Sequence, residues 1–178
     1  TGFGLSEMLE RIADVKERIL YTVELVENVT GLEDFGIYLT KILELDAFFM
    51  NVGRRTDNIC LLYDIESQKY RFCPVFDMGD SFFSDTKYAC PLVKSMVECY
   101  HVIKAEPFSH SFEEQVKAAQ ALYESQLKFT ISEHEMINIV RDMINGMRGN
   151  VNYQAGENRR IGEILRFQTK AYQSFFRR

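Results

Sequence analysis

Residues 51–77 read NVGRRTDNICLLYDIESQKYRFCPVFD. Two short apolar and aromatic runs, residues 58–64 and 69–75, are joined by Ile65, Glu66, Ser67 and Gln68. Runs of this length with a polar connection predict a β-hairpin of two buried strands. If Asp64 faces Lys69 in its ladder, Cys60 faces Cys73. Pro74 has no N–H to donate, which places it late in its strand or on an edge. An asparagine, Asn58, opens the hairpin and an aspartate, Asp77, closes it.

Outside the hairpin the period changes from two to between three and four. Met8, Ile12, Val15, Ile19, Val23 and Val26 mark one face of a helix over 6–28, with Ser6 as N-cap and Gly31 as breaker. Residues 32–50 carry a denser apolar pattern that predicts the most buried helix, and a short helix is expected over 92–103. Ser111 with Glu114, and Ser132 with Glu135, have the spacing of capping boxes and start helices of about 111–125 and 132–146. Gly146, Gly149 and Gly156 punctuate a loop before a last helix over 158–176. No repeat, low-complexity tract or linker divides the chain. The reading is one domain over 1–178, mainly α, with one small antiparallel hairpin.

The 178 residues suffice for one buried core. Hydrophobic residues make up 46% and charged residues 26%, ordinary globular values that argue against disorder. A net charge of −5 supplies no field to attract nucleic acid or acidic lipid. Cys60, Cys73, Cys90 and Cys99 lack metal-ligand spacing and are expected as reduced thiols of a cytoplasmic protein. No apolar run reaches the roughly 20 residues of a membrane helix, and the start has no signal-peptide pattern. Asn28-Val29-Thr30 fits the glycosylation pattern and is read as chance. The sequence begins at Thr1 rather than Met, so a fragment of a longer chain is an open expectation.

A helix, a polar turn, a hairpin and Asp77-Met78-Gly79 follow one another in the order of a protein-kinase C-lobe. Phosphoryl transfer needs a carboxylate beside the acceptor hydroxyl, then an Asn and an Asp to hold magnesium on the phosphates. Kinases space the first two as D-x-x-x-x-N and place the metal Asp after the next hairpin. LELDAFFMNVGRRTDNICLLYD, followed by YRFCPVFDMGDS, resembles the HipA-like kinases, whose loop reads N-x-D-R-H-x-x-N. Asn51, Arg54 and Asn58 match that loop in register, and Asp77 matches the metal Asp. The likeness extends over residues 32–178, through KAEPFSHSFEEQ and RRIGEILRFQTKAYQSFF, but only the loop and the Asp77 segment are specific. It implies a kinase-like C-lobe that transfers the ATP γ-phosphate to a protein Ser or Thr. Asn58 and Asp77 would hold Mg2+ and ATP, and Arg54 would orient the loop.

The departures from that pattern weigh as much. Gly53 occupies the position of the catalytic Asp, and Arg55 that of the His. A positioned acid or base contributes ~10²–10⁴-fold in rate, and glycine supplies none. Asp57 is a poor substitute, because adjacent residues on an extended strand project to opposite faces. Nor is there a Gly-rich phosphate loop or a strand-borne Lys, so an N-lobe is expected from a removed segment or from a partner protein, or nucleotide does not bind. The chain as given is expected to be dead or severely impaired.

Plainer readings stand beside these. Asn58 and Asp77 also suit the role of hairpin caps, and Asp46 reads as structural. Asp80, Ser81, Ser84 and Asp85 read as a solvated loop, or as a second carboxylate near the metal. Phe82 and Phe83 are expected to pack that loop onto the core. His101, His110 and His134 lie too far apart for a zinc motif. The last helix is expected to bury Ile161, Ile164, Leu165, Tyr172, Phe175 and Phe176 on its own lobe, with Arg159, Arg160, Arg166, Lys170, Arg177 and Arg178 in water. The competing class is a pseudokinase-type interaction module that lost its chemistry and kept a binding surface.

Overall fold

Asp14 divides the first expected helix in two. In the computed structural model, which describes residues 4–146 and 155–176, α1 spans Leu5–Glu10 and α2 spans Val15–Thr30. The Asp14 carboxylate accepts the Glu17 amide at 3.0 Å, so it caps a new helix where the apolar spacing had promised continuity. Arg18 then reaches back across the break, donating to the carbonyls of Ile12 (2.6 Å) and Phe108 (2.8 Å). Ser6 lies inside α1, whose N-cap is Gly4. Gly31 ends α2 in the left-handed region, φ 70°, as a helix-terminating glycine does.

Helix α3, Phe35–Phe49, is the most buried, as its composition predicts. It packs against α2 and α5, forming a core of Ile19, Val23, Phe35, Leu39, Leu43, Phe108 and Ala119. Helices α4 (Met96–Val102), α5 (Phe112–Tyr123), α6 (Glu133–Gly146) and α7 (Ala155–Ala171) complete the helical body, with short 3₁₀ turns at Thr56–Asn58 and Gln173–Phe175. Ser132 and Glu135 form their reciprocal cap. Ser111 accepts the Glu114 amide, but the Glu114 carboxylate takes the Ser109 hydroxyl instead. Within this body the buried Glu44 carboxylate anchors the turn after α5, accepting Gln120 Nε2 (2.6 Å), Ser125 Oγ (2.9 Å) and the Leu127 amide (2.6 Å). Buried carboxylates need such saturation.

The hairpin pairs β1 (Leu61–Asp64) with β2 (Lys69–Phe72) in the expected register, Asp64 opposite Lys69. Both strands are shorter than expected. Asn58 belongs to the 3₁₀ turn, and pairing stops before Pro74, which cannot donate. Continued by one step, the register would set Cys60 opposite Cys73. The strands are also not buried. Most of their residues are exposed, because the hairpin lies on α3 only at its base, where the Tyr38 ring stacks on Phe72 at 4.8 Å and its hydroxyl donates to the Cys73 carbonyl at 2.7 Å.

Helix α7 buries Ile164 and Leu165, and the turn beyond it buries Phe175 and Phe176, as its apolar stripe predicts. Arg160 departs from expectation. It is buried and donates to the carbonyls of Cys90, Pro91 (2.8 Å) and Lys94 (2.9 Å), because the irregular segment after residue 80 folds back over α7 and its carbonyls need donors. Arg159, Arg166 and Lys170 are exposed, while Gly149, Arg177 and Arg178 lie outside the described residues. Among the described residues no helix is long and apolar enough to cross a membrane.

Candidate functional site

The end of α3 builds the floor of the site. Met50 takes a left-handed conformation, φ 55°, and turns the chain out of the helix; the Asn51 amide bonds back to the Asp46 carbonyl at 2.8 Å. Both side chains of that closing turn, Asp46 and Asn51, are fully buried, and the Asn51 side-chain amide donates to Asp46 Oδ1 at 2.8 Å. Burial pushes the Asp46 carboxyl above the usual carboxylate range, with the hydrogen bonds from Arg54 and Asn51 pulling the other way.

Arg54 is the hub. Its Nε and Nη2 lie 2.8 and 3.1 Å from the two oxygens of Asp46, the forked geometry that suits a guanidinium to a carboxylate. Its Nη1 donates to the carbonyls of Asn58 and Phe76, both at 3.0 Å. Those carbonyls stand at the two ends of the hairpin segment, so one buried side chain ties both to α3.

On this floor stand the two residues singled out for metal and phosphate. Asn58 Nδ2 donates to the Gly53 carbonyl at 2.9 Å and to Asp77 Oδ2 at 2.5 Å. Asn58 and Asp77, 19 positions apart, are therefore brought into contact. Asn58 Oδ1 accepts no hydrogen bond among the described residues. Asp77 is exposed and adopts φ 56°, a left-handed conformation that aspartate tolerates better than most residues.

The remaining carboxylates separate cleanly. Asp57 is exposed and paired with Arg55 at 3.2 Å. Asp85 accepts the amides of Tyr88 (2.9 Å) and Ala89 (3.0 Å), which hold its carboxyl below the usual range, so it shapes its own turn. Asp80 lies over the loop. A Cβ built on Gly53 would stand 2.8 Å from Asp80 Oδ2. This placement depends on the backbone of a segment without regular structure, and no local pattern announces it.

Beyond Asp80 the chain takes two successive left-handed aromatic residues, Phe82 and Phe83, at φ 56° and 58°. Each such conformation costs roughly 1–2 kcal/mol, offset here by packing. Phe83 is buried, and the Phe82 ring meets Phe49 edge-on at 5.5 Å. The two pack the loop onto the body, as expected. Behind them lies a cavity of about 480 Å³ lined by Phe49, Met78, Ser81, Phe82, Glu157 and Arg160.

Among the described residues no group of three or more His, Cys, Asp or Glu side chains could hold a metal ion. Asn58 with Asp77 still fits magnesium delivered on a nucleotide, since that ion commonly takes one or two protein oxygens and completes its shell with phosphate and water. Compared with models of protein families, with curated proteins and with solved structures, the chain matches none. The likeness to HipA-like kinases therefore stands on the loop and on Asp77.

Proposed function

We propose that Asn58 and Asp77 form a magnesium–phosphate site, and that the chain is the C-terminal lobe of a HipA-like protein serine/threonine kinase. The reaction class is transfer of the ATP γ-phosphate to a protein hydroxyl. One observation carries the reading: two polar residues 19 positions apart meet at the surface over a buried Arg54–Asp46 pair that spans both ends of the hairpin. Hairpin caps alone need no such foundation.

Asn58 Oδ1 and the Asp77 carboxylate would hold the ion, which would supply positive charge against the developing phosphate charge. The Gly53 carbonyl fixes the Asn58 amide through Nδ2, which keeps Oδ1 as the acceptor. Arg54 holds the loop by its backbone and its Asp46 anchor rather than by touching phosphate, because it is buried. Gly53 leaves the catalytic position without a carboxylate, and Asp57, the loop's own acid, is paired with Arg55, so transfer through the loop alone is severely impaired. An N-lobe-bearing segment or partner protein would close the other side of the cleft. The exposed Val75 and Phe76, immediately before Asp77, offer it an apolar surface.

Thermal unfolding tests the reading. A ligand at 100 times its Kd stabilises by about 2.7 kcal/mol. The melting temperature should rise with Mg-ATP, and the rise should vanish with EDTA or in Asp77→Ala. No rise at millimolar Mg-ATP would remove the reading for this chain.

One observation favours the interaction-module reading instead. Val93 and Val97 are 95% and 66% exposed around the start of α4, an apolar pair without cover from the described residues. Under that reading, substitutions there and not at Asp77 would abolish partner binding.

A further inference from the structure

We infer that Asp80 supplies the carboxylate that Gly53 lacks, as the group that receives the proton of the acceptor hydroxyl. The inference rests on the phosphate–metal reading of Asn58 and Asp77 and names the missing participant of that same site.

Among the described residues only Gly31 is a glycine with positive φ, so the backbone of Gly53 would accept a side chain. An added Cβ would stand 2.8 Å from Asp80 Oδ2 and 3.3 Å from its Cβ, so the Asp80 side chain would have to shift to admit one. The carboxylate of residue 80 therefore occupies the place where a residue-53 side chain would begin. Its position is set by main chain on both sides. The Val52 amide donates to the Asp80 carbonyl at 3.1 Å, and the Phe82 amide donates to the Phe49 carbonyl at 2.9 Å. The Asp80 side chain is thus carried on a segment bonded to the loop it serves.

Elimination leads to the same residue. Asp46 is buried under Arg54, Asp57 is paired with Arg55, Asp77 is engaged with Asn58, and Asp85 caps its own turn. Asp80 alone of these is exposed with no hydrogen bond or cation on its carboxylate among the described residues. A group that must meet an incoming hydroxyl should be free and accessible in this way.

The acceptor hydroxyl oxygen forms a bond to the γ-phosphorus of ATP. The bond from that phosphorus to the β,γ-bridging oxygen breaks, and ADP leaves with the electron pair. The hydroxyl proton passes to the Asp80 carboxylate.

The experiment measures Mg-ATP binding by calorimetry, and ADP release with phosphate incorporation into protein, for the chain and its Asp80→Asn, Asp80→Glu and Gly53→Asp/Asp80→Ser variants. The expected result is turnover by the unaltered chain, a loss of ~10²–10⁴-fold in Asp80→Asn with ATP affinity unchanged, partial retention in Asp80→Glu, and recovery in the double variant. Gly53→Asp alone should gain little, because Asp80 already supplies the carboxylate and its side chain must shift to admit a second. If the chain binds Mg-ATP and Asp80→Asn turns it over equally fast, or the chain turns none over, the role of Asp80 is overturned while the phosphate site survives. If Mg-ATP does not bind at all, the phosphate-site reading falls and this inference with it.

Discussion

Arg54 and Asp46 form a forked ion pair beneath the surface, with Arg54 only 1% exposed and its Nε 2.8 Å from Asp46 Oδ2. Such pairs bring little net stability compared with apolar replacements, but breaking one leaves an uncompensated buried charge. Here the same guanidinium also holds the carbonyls of Asn58 and Phe76. Its role is to place the two ends of the hairpin, and with them Asn58 and Asp77.

Arg54→Ala should therefore cost about 3–5 kcal/mol in denaturant unfolding. Adding Asp46→Leu to it should recover part of that loss by removing the orphaned carboxylate. A single variant within 1 kcal/mol of the unaltered chain would mean that the pair is not closed in solution.

Gly36 should resist enlargement. A Cβ there would lie 2.3 Å from Cε1 of Tyr123, at the crossing of α3 and α5. Gly36→Ala should destabilise by about 1–3 kcal/mol, the usual cost of overpacking. Gly162 within α7 has nothing within 4 Å of its added Cβ. Gly162→Ala should stabilise by about 0.5–1 kcal/mol through helix propensity. Equal effects from the two, read in the same unfolding assay, would contradict the close crossing.

The four thiols should separate by reactivity. Burial, with Cys99 as hydrogen-bonding neighbour, pushes the Cys90 thiol up to about 12, and both residues are buried. Cys60 and Cys73 are half-buried. Iodoacetamide at pH 8, followed by mass spectrometry, should label Cys60 and Cys73 well before Cys90 or Cys99, because the thiolate is the nucleophile.

Alkaline pH should weaken the C-terminal packing in a defined window. Burial raises the Tyr172 phenol from 10.0 to about 12. Its contribution is complete below the unfolded value near 10 and is lost as pH rises through the folded value near 12, since the unfolded chain releases its proton first. Unfolding free energy should fall between pH 10 and 12, and Tyr172→Phe should flatten that fall. An unchanged slope in the variant would assign it to other groups.

Much of this arrangement was legible in the sequence where local rules suffice. The Asp64–Lys69 register, the burial of α3 and the Ser132 cap each follow from periodicity or from a short spacing. The break at Asp14 was missed because the apolar face continues across it while the cap, a single side chain, does not interrupt the pattern. The exposure of the hairpin and the burial of Arg160 depend on which elements fold over them, and composition carries no record of that. The contact of Asn58 with Asp77 was suggested by their order along the chain. The stacking of Asp80 over Gly53 was not, because it arises from an irregular segment returning to the loop.

The most direct test of the phosphate–metal site is calorimetric titration of the chain with Mg-ATP beside Asp77→Ala. Saturable, magnesium-dependent binding that Asp77→Ala abolishes is the predicted result. Binding left intact in Asp77→Ala, or no heat at millimolar nucleotide, would contradict it and leave Asn58 and Asp77 as the polar ends of a hairpin.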